Sequence, residues 1–355
     1  MENIDVHDGM AIGFYLVKGM NNLVLNCDAH DNYDGYSEGD SGNVDGFGGH
    51  ANKETSTGNI FRGCRAWNNG DDGFDLINCY ASYIIEYCWS FRNGYKPHSI
   101  ESSGGNGAGF KSGGYGMGDI KKVPNPIPQH TVRYCLAYYN RQQGFYSNHH
   151  LGGLIFENNT AYKNPSNYNM LNRKSSNEAV DVPGYGHIIK NNLSLSPRNS
   201  GGFPQHLINV DNTLSEIKNN SFAPNDLNLS ESDFESLNEQ ELMGSRKSDG
   251  SLPDINFLRL TNHANFRFSG MGCFINEEAV DYSWIQEPAI VLENGVARIV
   301  GENSRSFNKF YVNGEEVSIE NGIVDLTSMS GELNLKAISA VSYTHLRAHE
   351  TLSDL

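Results

Sequence analysis

The chain has no apolar run near the ~20 residues needed to cross a bilayer as a helix, and only 11 of its 355 residues are proline. A CxxC pair is absent, which removes the commonest zinc spacing. Amphipathic stretches at a 3.6-residue period are missing too, which argues against a helical fold. Positive charge is scarce: 26 Lys and Arg stand against 42 Asp and Glu, for a net charge of -16. Such a surface disfavours nucleic acid and anionic membranes as partners. It also disfavours a polyanionic substrate, unless a bound cation inverts the field locally. No export signal opens the chain, which begins on the strand-like Met1-Glu2-Asn3-Ile4-Asp5. The expectation is an N-terminal truncation, with earlier coils and any export signal missing.

What is abundant points to turns and strands. The chain carries 38 Gly and many Asn, as a turn-rich β protein does. An aromatic content of 11% excludes disorder. One phrase recurs at 25–32, 62–69, 86–93, 133–140 and 157–164, with fainter copies at Lys190-Asn191-Asn192-Leu193 and Lys218-Asn219-Asn220-Ser221. Cys64 to Cys88 is 24 residues, as is Cys135 to Asn159. A repeat of this length, built of short strands ended by Asn and Gly, predicts an all-β solenoid, a parallel β-helix. Asn suits the turns because it tolerates left-handed backbone. Stacked Asn32, Asn69, Asn93, Asn140 and Asn164 would form an internal amide ladder. Cys27, Cys64, Cys88 and Cys135 would fill one interior column as small buried residues rather than as a disulfide framework.

A second phrase carries a Gly-Phe pair in successive coils: Asp45-Gly46-Phe47, Asp71-Asp72-Gly73-Phe74-Asp75 and Gly109-Phe110-Lys111. The rings of Phe47, Phe74, Phe110 and Phe145 are expected to stack inward, with each Gly bending the strand so that its neighbours face outward together. Asp45 then stacks on Asp72, and Asp75 on Lys111, within two or three inter-strand spacings of about 4.8 Å. Four carboxylates that close are either partly protonated or hold a cation. All-oxygen ligands favour Ca²⁺ over zinc or copper. Beside such a cation an amine has its pKa lowered, and the α-hydrogen of a bound uronate becomes acidic. Lys111 as general base then gives β-elimination. The competing reading of each Asp-Gly is an ordinary turn, and of Lys111 a surface ion pair.

These residues resemble the family 9 polysaccharide lyases, over about 9–222. Asn59-Ile60-Phe61-Arg62-Gly63-Cys64-Arg65-Ala66-Trp67 and Asn169-Met170-Leu171-Asn172-Arg173 are similar to the family's as well. The resemblance implies a right-handed parallel β-helix acting on pectin, with Asp45, Asp71, Asp72 and Asp75 ligating Ca²⁺ and Lys111 as Brønsted base. Its members cut polygalacturonate or the rhamnogalacturonan I backbone; pectate is the first expectation, and the second backbone needs the same elimination. The implied partner is an acidic polysaccharide, and the implied setting is extracellular or periplasmic, for a monomer.

Weaker site candidates are His149, His150, Arg141 and Arg173 for substrate, together with Arg133 and Lys174. Asp31, Asp34, Glu38 and Asp40 are a candidate second cation site. Tyr138, Tyr139, Tyr146, Tyr162 and Tyr168 are candidate sugar platforms, with inward packing the default for about half of them. A glycoside hydrolase on the same scaffold would use paired carboxylates but gives Lys111 no part; a non-catalytic binding β-helix would tolerate its loss. The expected organisation is a β-helix over 1–223, a connecting segment over 224–262 and a small antiparallel β appendage over 263–341. Ser232-Asp233-Phe234-Glu235 reads as a capping box opening a short helix in the segment. Residues 342–355 have no strand pattern and read as a non-native tail.

Overall fold

Each turn of the chain lays down three strands of two to four residues, and each strand pairs in parallel with its counterpart one turn away. The computed structural model describes residues 1–36, 42–115, 123–198, 205–274, 289–293, 296–300, 307–319, 323–329, 332–339 and 345–351. Three seven-stranded sheets result. One begins at Leu23–Leu25, the next at Asp5–His7 and the third at Phe14–Leu16. This is the parallel β-helix expected from the repeat, in which strands too short to be stable alone gain partners on both sides.

The interior is built of columns, one residue type per column. Phe14, Phe47, Phe74, Phe110, Phe145 and Tyr168 stack with ring centroids 4.7 to 4.9 Å apart. From Phe47 to Tyr168 these rings are fully buried, each contributing about 1.5–3 kcal/mol by leaving water. A second column is the amide ladder: Asn32 Nδ2 donates to Asn69 Oδ1, Asn69 to Asn93, Asn93 to Asn140 and Asn140 to Asn164, at 2.9 to 3.1 Å. Each amide also donates to a main-chain carbonyl, as Asn93 does to Ala66 at 3.0 Å, so no buried polar atom in the ladder is left alone. Cys27, Cys64, Cys88 and Cys135 form a third column; all six thiols are free and buried.

Two expectations are refined. The ladder asparagines are not the left-handed residues of the turns. Positive φ falls one position earlier, at Asp31, Asn68, Arg92, Tyr139 and Lys163, where the side chain points to the surface and the turn itself sets the residue's conformation. Gly46, Gly73 and Gly109 each lie at a bend immediately before the strand, as expected, but space sets a further requirement. A Cβ on Gly46 would stand 2.8 Å from Ala66 Cβ and Gly73 O and 2.9 Å from the amide of Asn69. Gly is required there because the next rung and the ladder leave no space.

By contacts the chain forms two units, Met1–Arg259 with Met271–Ile275, and Leu260–Gly270 with Asn276–Leu355. Within the first, residues beyond the last rung return along the solenoid. Arg65 Nη1 donates to the carbonyls of Leu242 and Gly244 at 3.0 and 2.8 Å, and Arg246 pairs with Asp28. The capping box lies two residues earlier than expected: Ser230 and Asp233 form it, and it opens a single 3₁₀ turn, Glu231–Asp233. The second unit is antiparallel. Phe307–Val312 turns through Asn313-Gly314 into Glu315–Val317, with φ of 51° and 92° at the turn as a type I′ hairpin demands. The Asn321-Gly322 turn signal lies outside the described residues. The expectation of no strand in the tail is corrected. His345–Thr351 pairs along Glu332–Ser339, because an edge strand supplies unpaired main-chain groups to any extended segment beside it.

Candidate active site

Register gathers the site. Phe110 pairs with Phe74 and Lys111 with Asp75 on adjacent strands, while Phe47 pairs with Phe74 one rung earlier. Asp45, Asp72 and Asp75 consequently converge, each offering a carboxylate oxygen within 4.8 Å of the others. All three are buried, as is Asp71. Lys111 Nζ lies 3.0 Å from Oδ2 of both Asp72 and Asp75.

Main-chain amides fix the direction of every carboxylate. Asp45 Oδ1 accepts from Asp72 N at 3.1 Å, Asp72 Oδ1 from Ala108 N at 2.6 Å, and Asp75 Oδ1 from Ile77 N at 2.8 Å. Asp71 Oδ1 accepts from Asn106 N. Gly105 makes this approach possible, since a Cβ there would meet Asp71 Oδ1 at 2.5 Å. With Oδ1 tied down, Oδ2 of Asp72 and of Asp75 faces Lys111. Asp71 is not among the three converging oxygens; it stands beside them and acts on them through charge.

The electrostatics are those of an overfilled acidic pocket. Burial, reinforced by Asp75, Asp72 and Asp71, holds the Asp45 carboxyl well above the usual carboxylate range. Burial and Asp72 push Asp71 up to about 7. Burial also raises Asp72, although Lys111 pulls it the other way. Burial opposes the charge on Lys111, but Asp72, Asp75, Asp45 and Asp71 outweigh it and hold the ammonium well above the ordinary lysine value. Asp72 Oδ2 is buried without a hydrogen bond and meets Lys111 as an ion pair. Converging hard oxygens, one of them lacking a hydrogen bond, fit an oxygen-ligated divalent cation such as Ca²⁺.

The remaining candidates separate. His149 stays at the site: its Nε2 lies 2.9 Å from Tyr146 Oη and its Nδ1 2.5 Å from Asp181 Oδ1. The expectation that His150 touches substrate is corrected. It is fully buried, with Nδ1 accepting from Gly114 N and Nε2 against Pro128 O. Arg173 is corrected likewise: it is buried and donates to Tyr115 O at 3.2 Å. Arg141 turns to the carbonyls of Gly105 and Asn106, at 2.9 and 3.2 Å, and braces the loop that serves Asp71. Arg133 pairs with Glu86 on another sheet, and Lys174 with Glu178 at the surface. Tyr138, Tyr162 and Tyr168 are buried, while Tyr139 and Tyr146 are half-buried. Of the suggested second cation site, Glu38 and Asp40 lie outside the described residues, and Asp31 is taken by His30 and Asn68.

Sequence reasoning missed His50 and Asp181. His50 Nδ1 lies 3.1 Å from Tyr15 Oη and its Nε2 4.0 Å from Asp75 Oδ2. Its signal was its place three residues after Phe47, on the rung before Asp75. Asp181 sits on a hairpin outside the rungs, Leu171–Ser175 with Glu178–Pro183, where the repeat carries no information.

Fold and site together define a class: a parallel β-helix with a carboxylate cage and a lysine on one sheet. The chain belongs to the Pel9A-like right-handed β-helix family, whose model matches residues 1–216. A second model, described as rhamnogalacturonan lyase-like C-terminal, matches residues 211–345. Among curated relatives, pectate lyase L of Dickeya chrysanthemi is 34% identical over 283 residues, covering 79% of this chain and 58% of its own. The chain therefore spans somewhat under three fifths of that relative's length. Among solved structures, a rhamnogalacturonan lyase superposes with a TM-score of 0.72 at 55% identity, covering 77% of this chain and 65% of that one. Pectate lyase Pel9A superposes with a TM-score of 0.60 at 31% identity, covering 78% and 64%.

Proposed function

We propose that this chain is a Ca²⁺-dependent polysaccharide lyase that cleaves the galacturonate-containing pectin backbone by β-elimination. The observation that carries the reading is Lys111 Nζ standing 3.0 Å from two carboxylates of a buried three-carboxylate cluster. Asp45, Asp72 and Asp75 would hold the cation, with Asp71 adding charge beside them. A bound Ca²⁺ would neutralise the cluster, bind the substrate carboxylate and acidify the α-hydrogen. With its ion pairs to Asp72 and Asp75 competed away and its own proton lost to water, Lys111 as the free amine would take that hydrogen as a proton. The reading also accounts for an acidic protein with an acidic substrate. A hydrolase would need two carboxyls flanking the bond, and here the carboxyls share one pocket with an amine.

The motifs do not separate the two backbones; the identities support the rhamnogalacturonan backbone ahead of plain pectate, the first expectation: 55% to a rhamnogalacturonan lyase against 34% to a pectate lyase. A polymeric substrate does not cross membranes, which supports an activity outside the cytoplasm. Among the described residues no helix is long and apolar enough to span one. The test is ultraviolet-monitored turnover on rhamnogalacturonan I beside polygalacturonate, with Ca²⁺ and after chelation. The reading expects a conjugated unsaturated product that disappears on chelation and returns with Ca²⁺. New reducing ends without that chromophore would overturn it.

A further inference from the structure

Elimination has two proton problems, and Lys111 solves one. The electron pair of the α-carbon–hydrogen bond becomes the new double bond, the β-carbon–oxygen bond breaks, and its pair stays on the departing glycosidic oxygen. A sugar alkoxide is a poor leaving group, so a positioned acid speeds its departure. Base and acid act on neighbouring carbons of one sugar ring, so the acid has to stand within about a ring's width of the base.

Tyr146 occupies that position. It is the strand partner of Lys111 on the rung following it, as Asp75 is on the rung before. Partners on neighbouring parallel strands project from the same face about 4.8 Å apart. Tyr146 Oη lies 2.9 Å from His149 Nε2, and His149 Nδ1 lies 2.5 Å from Asp181 Oδ1. The three come from separate places: a rung strand, the turn after it, and the hairpin Leu171–Ser175/Glu178–Pro183. Only the folded chain assembles them. A carboxylate that orients an imidazole, which in turn bonds a hydroxyl, is the geometry of a proton relay.

We propose that Tyr146 is the acid of the elimination, resupplied by His149, which Asp181 orients. This rests on the lyase reading of the site. With His149 as imidazolium, its Nδ1–H donates to Asp181 and its Nε2–H to Tyr146 Oη, which frees the phenolic proton for the substrate. Tyr146 gives that proton to the glycosidic oxygen and takes the one on His149 Nε2. Lys111 ends as ammonium and His149 as neutral imidazole; water removes the proton from the first and returns one to the second. Tyr146 is the catalytic residue, and His149 and Asp181 are positioning residues. The charged groups around the phenol are Asp181, Lys111, Asp72 and Arg173. Burial, with Asp181, pushes Tyr146 up to about 12, so it holds its proton until the leaving oxygen becomes basic.

The test compares two leaving groups. Tyr146→Phe, His149→Gln and Asp181→Asn are assayed on a natural glycosyl-linked substrate. They are then assayed on a galacturonide whose β-oxygen carries para-nitrophenyl, a group that departs without a proton. The relay expects Tyr146→Phe to lose about 100-fold in kcat on the sugar leaving group and to match the wild type on the aryl one. His149→Gln and Asp181→Asn should lose less, again on the sugar alone. Equal losses on both substrates would reduce Tyr146 to a structural role, and undiminished turnover of sugar-linked substrate by Tyr146→Phe would remove it from the reaction. Either result leaves the lyase reading standing. A wild-type chain that forms no unsaturated product from either substrate defeats that reading and the relay with it. Melting curves of all three variants separate misfolding from lost chemistry, and His149→Gln supplies the same comparison if Tyr146→Phe does not fold.

Discussion

The two faces of one sheet differ in kind. Looking inward along Phe14–Leu16, Phe47–Gly49, Phe74–Asp75, Phe110–Lys111 and Gln143–Tyr146, every rung presents an aromatic ring in register. One residue further along, the outward column reads Tyr15, Gly48, Asp75, Lys111 and Tyr146. Repetition marks the face that holds the fold, since identical rungs let identical side chains stack. Change from rung to rung marks the other face, where the proposed cage, base and acid stand at different heights.

That contrast breaks most visibly at Lys111. Lys111→Ala should lower kcat about 1,000-fold, within the usual range for a general base, while the far-ultraviolet circular dichroism of the β-helix stays as in the wild type. A variant within about tenfold of wild-type turnover would make Lys111 a bystander.

The opposite outcome is expected on the inner face. Asn93 donates to Ala66 O and Asn140 Oδ1 and accepts from Asn69. Asn93→Ala should destabilise by roughly 3 kcal/mol or more, because several buried partners lose a bond at about 1–3 kcal/mol each. Urea midpoints report this; a loss below about 1 kcal/mol would mean the ladder relaxes around the gap.

A smaller effect separates the faces by pH. An unfolded Asp titrates near about 3.9, whereas folded Asp71 is raised to about 7, and Asp45 and Asp72 are raised as well. Between these limits the folded chain keeps protons that the unfolded chain has released, so stability of the metal-free protein falls as pH rises from about 4 to 7. Ca²⁺ should accordingly raise the melting temperature more at pH 8 than at pH 4, and Asp71→Asn should flatten the metal-free slope. A melting temperature independent of pH without Ca²⁺ would contradict the burial of these acids. The smallest effect is expected at Lys174, whose exposed pair with Glu178 is worth about 0–1 kcal/mol; Lys174→Ala should change neither melting nor turnover.

The same contrast explains what was legible in the sequence. The solenoid, the Phe stack, the amide ladder and the Cys column could all be read, because a column repeats its residue type once per turn. The spacing of Asp72, Asp75 and Lys111 could be read because Gly-Phe pairs index the register around them. Burial of His150 and Arg173 could not, since one coil of sequence does not say which side of a turn a side chain takes. Asp181 was invisible for a related reason: its hairpin interrupts the repeat, and only tertiary folding lays it against His149. The strand at His345–Thr351 escaped notice because an edge partner lends it structure that its own composition does not announce.

The most direct measurement is titration calorimetry of Ca²⁺ into the metal-free chain in buffers of differing ionisation enthalpy near pH 6. Asp45, whose carboxyl burial holds well above the usual range, and Asp71, raised to about 7, give up protons when a cation binds beside them. The account predicts one strong site per chain, with proton release that vanishes together with binding in Asp72→Asn. Weak, multi-site binding without proton release, unchanged in that variant, would contradict it.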